Sequence, residues 1–133
     1  VQISLGGRLS MQQHLELAKQ LKPLREQGVL ILGSGNLIHN LRLLDWQNID
    51  RLSGYDWAIR AQQLLLDLIR ANDLESLANY RTLGDDVQKA IPTAEHYLPL
   101  LYILALRDTD DKLDIFNTDF VGGSLDMTCV KVG

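Results

Sequence analysis

Two histidines, His39 and His96, occupy similar positions in the sequence and are the first candidates for chemistry. His39 follows a possible helix cap, Asn36, by three residues, and His96 follows Thr93 at the same spacing. Each histidine is therefore expected in the first turn of a helix. Unpaired amides and the helix dipole disfavour an added positive charge there, so both rings should stay neutral. A neutral imidazole binds a metal ion or accepts a proton.

Neither histidine is a complete site by itself. A histidine in a first turn often does no more than hydrogen-bond to a nearby backbone or side-chain group, and this alternative stays open for both. A catalytic metal generally needs three protein ligands. Glu95 precedes His96 but should point roughly 100° away around the helix, so it is a poor partner on the same metal. His14, the third histidine, is expected to be half-buried or on the surface.

A strand and a sharp turn are expected to bring His39 to the edge of a sheet. The aliphatic residues Val29–Leu32 predict a buried strand, glycines in Gly33–Gly35 turn the chain, and a helix then runs to about Leu44. In open α/β sheets, ligands collect at the carboxyl ends of strands. The turn lacks the lysine and third glycine of the known phosphate-binding fingerprints. Its amides could still bind an anion at the helix N-terminus.

The remaining segments predict an α/β fold with one central mixed sheet flanked by helices. The strand Val1–Leu5 precedes a helix from Met11 to Glu26, capped by Ser10 and kinked by Pro23, so the first two strands should be parallel. The other predicted elements are helices at 55–71, 74–80 and 94–106, a polar stretch at 81–89, and strands at 113–116 and 124–132.

Composition bounds the class of protein. A chain of 133 residues with 46% hydrophobic and 23% charged residues is typical of one globular domain. The net charge of −4, without a block of like charges, argues against a nucleic-acid or membrane partner. No apolar run approaches the roughly 20 residues that span a bilayer. The single Cys129 cannot form an internal disulfide. We therefore expect a cytoplasmic protein.

Four segments together resemble the 4,5-DOPA extradiol dioxygenase family, within the superfamily of the protocatechuate 4,5-dioxygenase catalytic subunit. The resemblance runs in order over nearly the whole chain. It is carried by the segments 34–42, 55–58, 92–102 and 123–127. Two positions depart from the family pattern, because Ala94 stands where proline is frequent and Asp126 where serine is common. Neither departure removes a metal-binding group.

The resemblance implies an enzyme of aromatic compound metabolism that opens the ring of a catechol such as DOPA with O₂. The cofactor would be non-haem Fe(II), or the Zn(II) that often occupies such sites. His96 matches a metal ligand. His39 matches the acid–base histidine, which in zinc-loaded members also coordinates the metal.

The resemblance also implies that residues 1–133 form the C-terminal part of a larger catalytic domain. Two further histidine ligands would belong to an N-terminal half, and the chain alone would be inactive. A start within a predicted strand, at Val1, also favours missing upstream sequence. The alternative is a zinc-binding protein, a fragment or a subunit without catalytic activity of its own.

Overall fold

The computed structural model describes residues 1–50 and 52–133 of the chain. The helices of these residues are α1 (Met11–Lys19), α2 (Pro23–Glu26), α3 (Asp56–Ala71), α4 (Leu74–Ala78), α5 (Asp85–Ala90) and α6 (Leu98–Ala105). Single 3₁₀ turns form at Leu41–Leu43, Trp46–Asn48 and Tyr80–Thr82. The strands are β1 (Leu113–Phe116), β2 (Phe120–Val121), β3 (Leu125–Asp126) and β4 (Cys129–Val132).

α6 is apolar on nearly every side and packs against α1 and α4. α1 lies along α6, while α3 packs against α4 and α5. Burial of the shared apolar faces is the main stabilising term in such a layer. The side chains at its centre are fully buried: Leu65, Ile69, Leu77, Tyr97, Leu101 and Leu104.

The first predicted helix is divided into two. Ser10 caps α1 as expected, since its side chain accepts a hydrogen bond from the Gln13 amide and the Gln13 side chain accepts one from the Ser10 amide. Pro23 does more than kink this helix. It has no amide hydrogen to donate, so α1 ends at Lys19 and Pro23 becomes the first residue of α2.

The α/β class is confirmed, but the sheet differs from the expected central mixed one. The strands form two antiparallel pairs, β1 with β4 and β2 with β3. The segments Val1–Leu5 and Val29–Leu32, predicted to be parallel strands, are neither helix nor strand. A strand requires a hydrogen-bonded neighbour, and in the described part of the chain none lies beside these segments. Leu30 and Leu32 are accordingly 80% and 84% exposed.

Two other predicted elements differ in detail. The polar stretch 81–89 overlaps α5, which extends to Ala90 and whose buried face consists of Val87 and Ala90. The strand predicted at 124–132 is two short strands, each paired with a different neighbour. The predictions for α3 and β1 are confirmed closely in their bounds. Among the helices described, none is both long and apolar enough to cross a membrane.

Candidate functional site

His39 does not lie in a helix, contrary to the sequence prediction. Its amide donates to the carbonyl of Ala90, and it forms an isolated antiparallel bridge with Leu125 beside β3. These bonds to distant segments replace the bonds to preceding carbonyls that a helix would require. Only the 3₁₀ turn Leu41–Leu43 follows. The expected anion site on a helix N-terminus after Gly35 therefore does not form.

His96 lies just before α6 rather than in its first turn. The helix begins at Leu98, with Tyr97 in the cap position and Pro99 within the first turn. The missing amide of Pro99 costs least there, which explains where the helix starts. Thr93 is not the cap, because its hydroxyl donates to the Glu95 carboxylate at 2.7 Å.

The fold nevertheless brings the two histidines together. The ring centroids of His39 and His96 are 5.1 Å apart, and the rings are tilted by 52°. His39 is only 5% exposed, whereas the side chain of His96 is exposed. The site therefore has one enclosed imidazole and one that faces outward.

The backbone of Thr93 determines which nitrogen of His39 is available. The Nε2 atom of His39 is 3.0 Å from the Thr93 carbonyl oxygen. A carbonyl oxygen only accepts, so Nε2 carries the hydrogen and donates it. In the neutral ring the lone pair is then on Nδ1, which is buried without a hydrogen-bond partner among the described residues. A metal ion or a proton would bind at this atom.

Burial is the main reason that the pKa of His39 lies below its ordinary value. The neighbouring His96 lowers this pKa further. The backbone carbonyls of Thr93 and Asn36 and the carboxylate of Glu95 oppose these effects. His39 is therefore a neutral base near pH 7, for a different reason from the helix dipole that the sequence indicated.

Backbone contacts hold the two histidine segments against each other. The Asn36 amide donates to the His96 carbonyl oxygen at 2.9 Å. The side chain of Asn36 donates to the carbonyl of Asp126 in β3 at 3.0 Å. Beside His96, Tyr97 is fully buried and its hydroxyl donates to the Leu77 carbonyl at 3.1 Å. His96 is thus adjacent to a residue anchored in the core, and Asn36 connects the segment of His39 to both His96 and β3.

Comparison with known proteins shows which family the chain resembles. No protein-family model matches the chain. Over 140 residues the chain is 32% identical to a 4,5-DOPA dioxygenase extradiol of Escherichia coli K12, and the match covers 100% of the chain and 49% of that protein. A protein of the same name from Portulaca grandiflora is 27% identical, with 98% of the chain and 47% of that relative covered.

A solved structure agrees with the sequence comparison. It is a crystal structure of an uncharacterized protein from Escherichia coli K12, 31% identical to the chain, with a TM-score of 0.84 over 98% of the chain and 53% of that structure. The chain belongs to the 4,5-DOPA extradiol dioxygenase family. It spans about half the length of the curated relatives that it matches.

The described residues do not by themselves contain a complete metal site. Among the described residues there is no group of three or more His, Cys, Asp or Glu side chains that could hold a metal ion. His39 and His96 fit two positions of such a site, because both are imidazoles on adjacent segments. The carboxylate of Glu95 is held by Thr93, and this hydrogen bond is the main reason that its pKa lies below the ordinary value.

Sequence reasoning misjudged His14 and did not identify three contributors to the site. His14 is buried at 2% exposure, and its Nδ1 atom is 2.9 Å from the Tyr102 hydroxyl, so it belongs to the core between α1 and α6. The Thr93 carbonyl carries no signal in a sequence, since every residue has one. The Asn36 side chain and Tyr97 lie within the family-like segments, but their contacts come from remote residues.

Proposed function

We propose that this chain is the C-terminal half of a metal-dependent extradiol dioxygenase that opens the ring of a catechol. His96 would be a ligand of the metal, Fe(II) or Zn(II), and His39 the acid–base residue. The observation that carries this proposal is the adjacency of the two imidazoles, whose ring centroids are 5.1 Å apart, with no hydrogen-bond partner for Nδ1 of His39 among the described residues. The names of the relatives support the reaction type.

His39 is suited to moving a proton. Its Nδ1 atom would accept a proton from a catechol hydroxyl, while Nε2–H stays bonded to the Thr93 carbonyl. That bond stabilises the imidazolium formed by the transfer, because the carbonyl dipole faces the positive charge. The lowered pKa keeps the ring neutral before the transfer.

His96 is suited to binding a metal. Its exposed ring lies at the end of a loop whose next residue, Tyr97, is locked in the core. When bound, Fe(II) would supply a centre at which catechol oxygens and O₂ meet, with the remaining ligands coming from outside this chain.

The proposed N-terminal half would pack against the exposed segment at residues 30–35. Leu30 and Leu32 are strongly exposed, and no backbone hydrogen bond joins residues 30–35 to the other described residues. Unpaired apolar segments of this kind are suited to strand pairing with another part of a domain. A cavity of about 630 Å³ beside Glu95 is lined by neither site histidine, so we assign the catechol pocket partly to the other half.

The test compares His39→Ala, His96→Ala and His14→Gln in the full-length protein. Metal content should fall in His96→Ala, whereas His39→Ala should keep most of its metal and lose catechol turnover by about 10²–10⁴-fold. His14→Gln removes a histidine outside the site and should keep both properties if it folds. Unchanged metal content in His96→Ala would refute the ligand assignment.

A second candidate function is zinc binding without oxygenase activity, and the lack of a third ligand among the described residues favours it for the isolated chain. Anaerobic reconstitution with Fe(II), followed by addition of catechol and O₂, separates the two. Ring opening by the full-length protein but not by residues 1–133 supports the first proposal. If neither the full-length protein nor residues 1–133 open the ring, zinc binding without oxygenase activity is supported.

A further inference from the structure

The backbone at Gly35 approaches the His96 peptide so closely that a residue with a Cβ atom would not fit there. A Cβ atom built on Gly35 would be 2.0 Å from the carbonyl oxygen of His96 and 2.9 Å from its carbonyl carbon. The backbone dihedral φ of Gly35 is not in the left-handed region, so conformational freedom does not explain the glycine. The glycine is explained by the close approach of the two backbones.

This close approach allows the hydrogen bond that connects the two histidine segments. The Asn36 amide, next to Gly35, donates to the same His96 carbonyl oxygen at 2.9 Å. Three residues later, the His39 amide donates to the Ala90 carbonyl at 3.0 Å. Segment 35–39 is thus attached at both ends to segment 90–96, and this attachment determines how the two rings face each other.

We propose that Gly35 is a positioning residue that sets the separation of His39 and His96, and through it the geometry of metal binding. This inference rests on the proposed function, in which His96 is a metal ligand. Carbon–oxygen contacts are normally at least about 3.3 Å. A side chain at position 35 would therefore displace the His96 peptide by about 1 Å. Functional side chains must generally be held within about 0.5 Å of their productive positions.

The chain offers two matched control glycines. A Cβ on Gly33 would lie 2.8 Å from the Pro99 carbonyl oxygen, in the first turn of α6 and beyond His96. Gly33→Ala thus crowds the first turn of α6, which follows His96, and its nearest contacts are Pro99 and Ile103 rather than the His96 peptide. Gly7 has no atom within 4 Å of its added Cβ, and Gly7→Ala should change nothing at the site.

The experiment titrates the metal-free, full-length protein with Co(II) and follows visible absorption, in parallel with thermal unfolding. Gly35→Ala should weaken Co(II) binding by about 10–100-fold and alter the absorption bands, as expected when a ligand is misoriented. Gly33→Ala is expected to lower thermal stability but to keep the affinity within about threefold and retain the bands. Equal loss of affinity in both variants, or none in Gly35→Ala, overturns the proposal.

A milder variant covers the case in which Gly35→Ala does not fold. Asn36→Ala removes the side-chain bond to the Asp126 carbonyl and loosens the same segment without adding atoms. It should weaken Co(II) binding several-fold, with altered bands, and unchanged binding would overturn the proposal.

His96→Ala tests the proposed function separately. If His96→Ala binds Co(II) normally, the ligand assignment fails. If it loses binding while Asn36→Ala and Gly35→Ala keep it, only the role of Gly35 fails.

Discussion

The Nε2 atom of His39 lies 3.0 Å from the carbonyl oxygen of Thr93, so a main-chain group determines the tautomer of this side chain. Substituting Thr93 leaves that carbonyl in place, which makes the interaction insensitive to the side chain at position 93. The Thr93 hydroxyl has a separate role, since it binds the Glu95 carboxylate.

The first prediction concerns this tautomer. In the metal-free protein at neutral pH, His39 should be the Nε2–H tautomer, because only a hydrogen on Nε2 satisfies the Thr93 carbonyl. Long-range ¹H–¹⁵N NMR spectra of histidine-labelled protein distinguish the two tautomers, and His39→Ala assigns the signal. An Nδ1–H pattern for His39 would contradict the arrangement described here.

The second prediction concerns the buried bond between His14 and Tyr102. Tyr102→Phe leaves the His14 ring without its partner in the core, which should lower the free energy of unfolding by about 1–3 kcal/mol. The control is Tyr80→Phe. The Tyr80 hydroxyl is also buried but has no partner among the described residues, so its removal should cost less than about 0.5 kcal/mol. Urea unfolding measures both, and equal losses would argue against the hydrogen bond.

The third prediction is an acid-sensitive contribution to stability from Asp111. Both carboxylate oxygens accept from Arg25, at 2.6 and 2.8 Å. Hydrogen bonding from Arg25 is the main cause that lowers the pKa of Asp111 to about 2. Because the folded-state pKa is below the unfolded value near 3.9, this contribution is present above about pH 4. It is lost as the pH falls towards 2.

The size of this contribution should be on the order of 1 kcal/mol once solvent screening is considered. Unfolding measured between pH 2 and 6 should therefore show a larger loss in the natural protein than in Asp111→Asn. Asp67→Asn is the control, because Asp67 has an exposed pair with Arg70 one turn along α3. Identical pH profiles for the natural protein and Asp111→Asn would contradict the assignment.

The fourth prediction concerns the end of α3. Asn72 closes this helix in the left-handed conformation, with φ of 56°, and its amide donates to the Ile69 carbonyl. Asn72→Ala should cost about 1 kcal/mol, since alanine is strained at this φ, whereas Asn72→Gly should be nearly neutral. Thermal unfolding of the two variants checks the difference, and a reversed order would contradict the cap.

Much of the helical part of the fold could be predicted from local signals. Ser10 forms the expected cap of α1, and the long apolar pattern before Asn72 is α3. Local signals failed where remote contacts decide the backbone. Val29–Leu32 has the composition of a buried strand, but no strand of the described residues lies beside it to pair with, so it forms none.

The candidate site also has features that the sequence predicted and features that it did not. The residue types alone identified His39 and His96 as the pair to examine, and the segments around them indicated the family. Their roles as acid–base residue and metal ligand stay predictions. The sequence did not indicate that Gly35 contacts the His96 peptide or that the Thr93 carbonyl selects a tautomer, because both depend on segments about 55–60 positions apart along the chain.

The sequence by itself determined the α/β class, most helix positions, the family and the two candidate histidines, since these depend on residue type and local order. Only the tertiary structure decided that His39 is enclosed, that His96 faces outward and that their rings lie 5.1 Å apart. The physical reason is that burial and orientation come from backbone bonds between distant segments, here Asn36 to His96 and His39 to Ala90. Those bonds form only when the chain is folded.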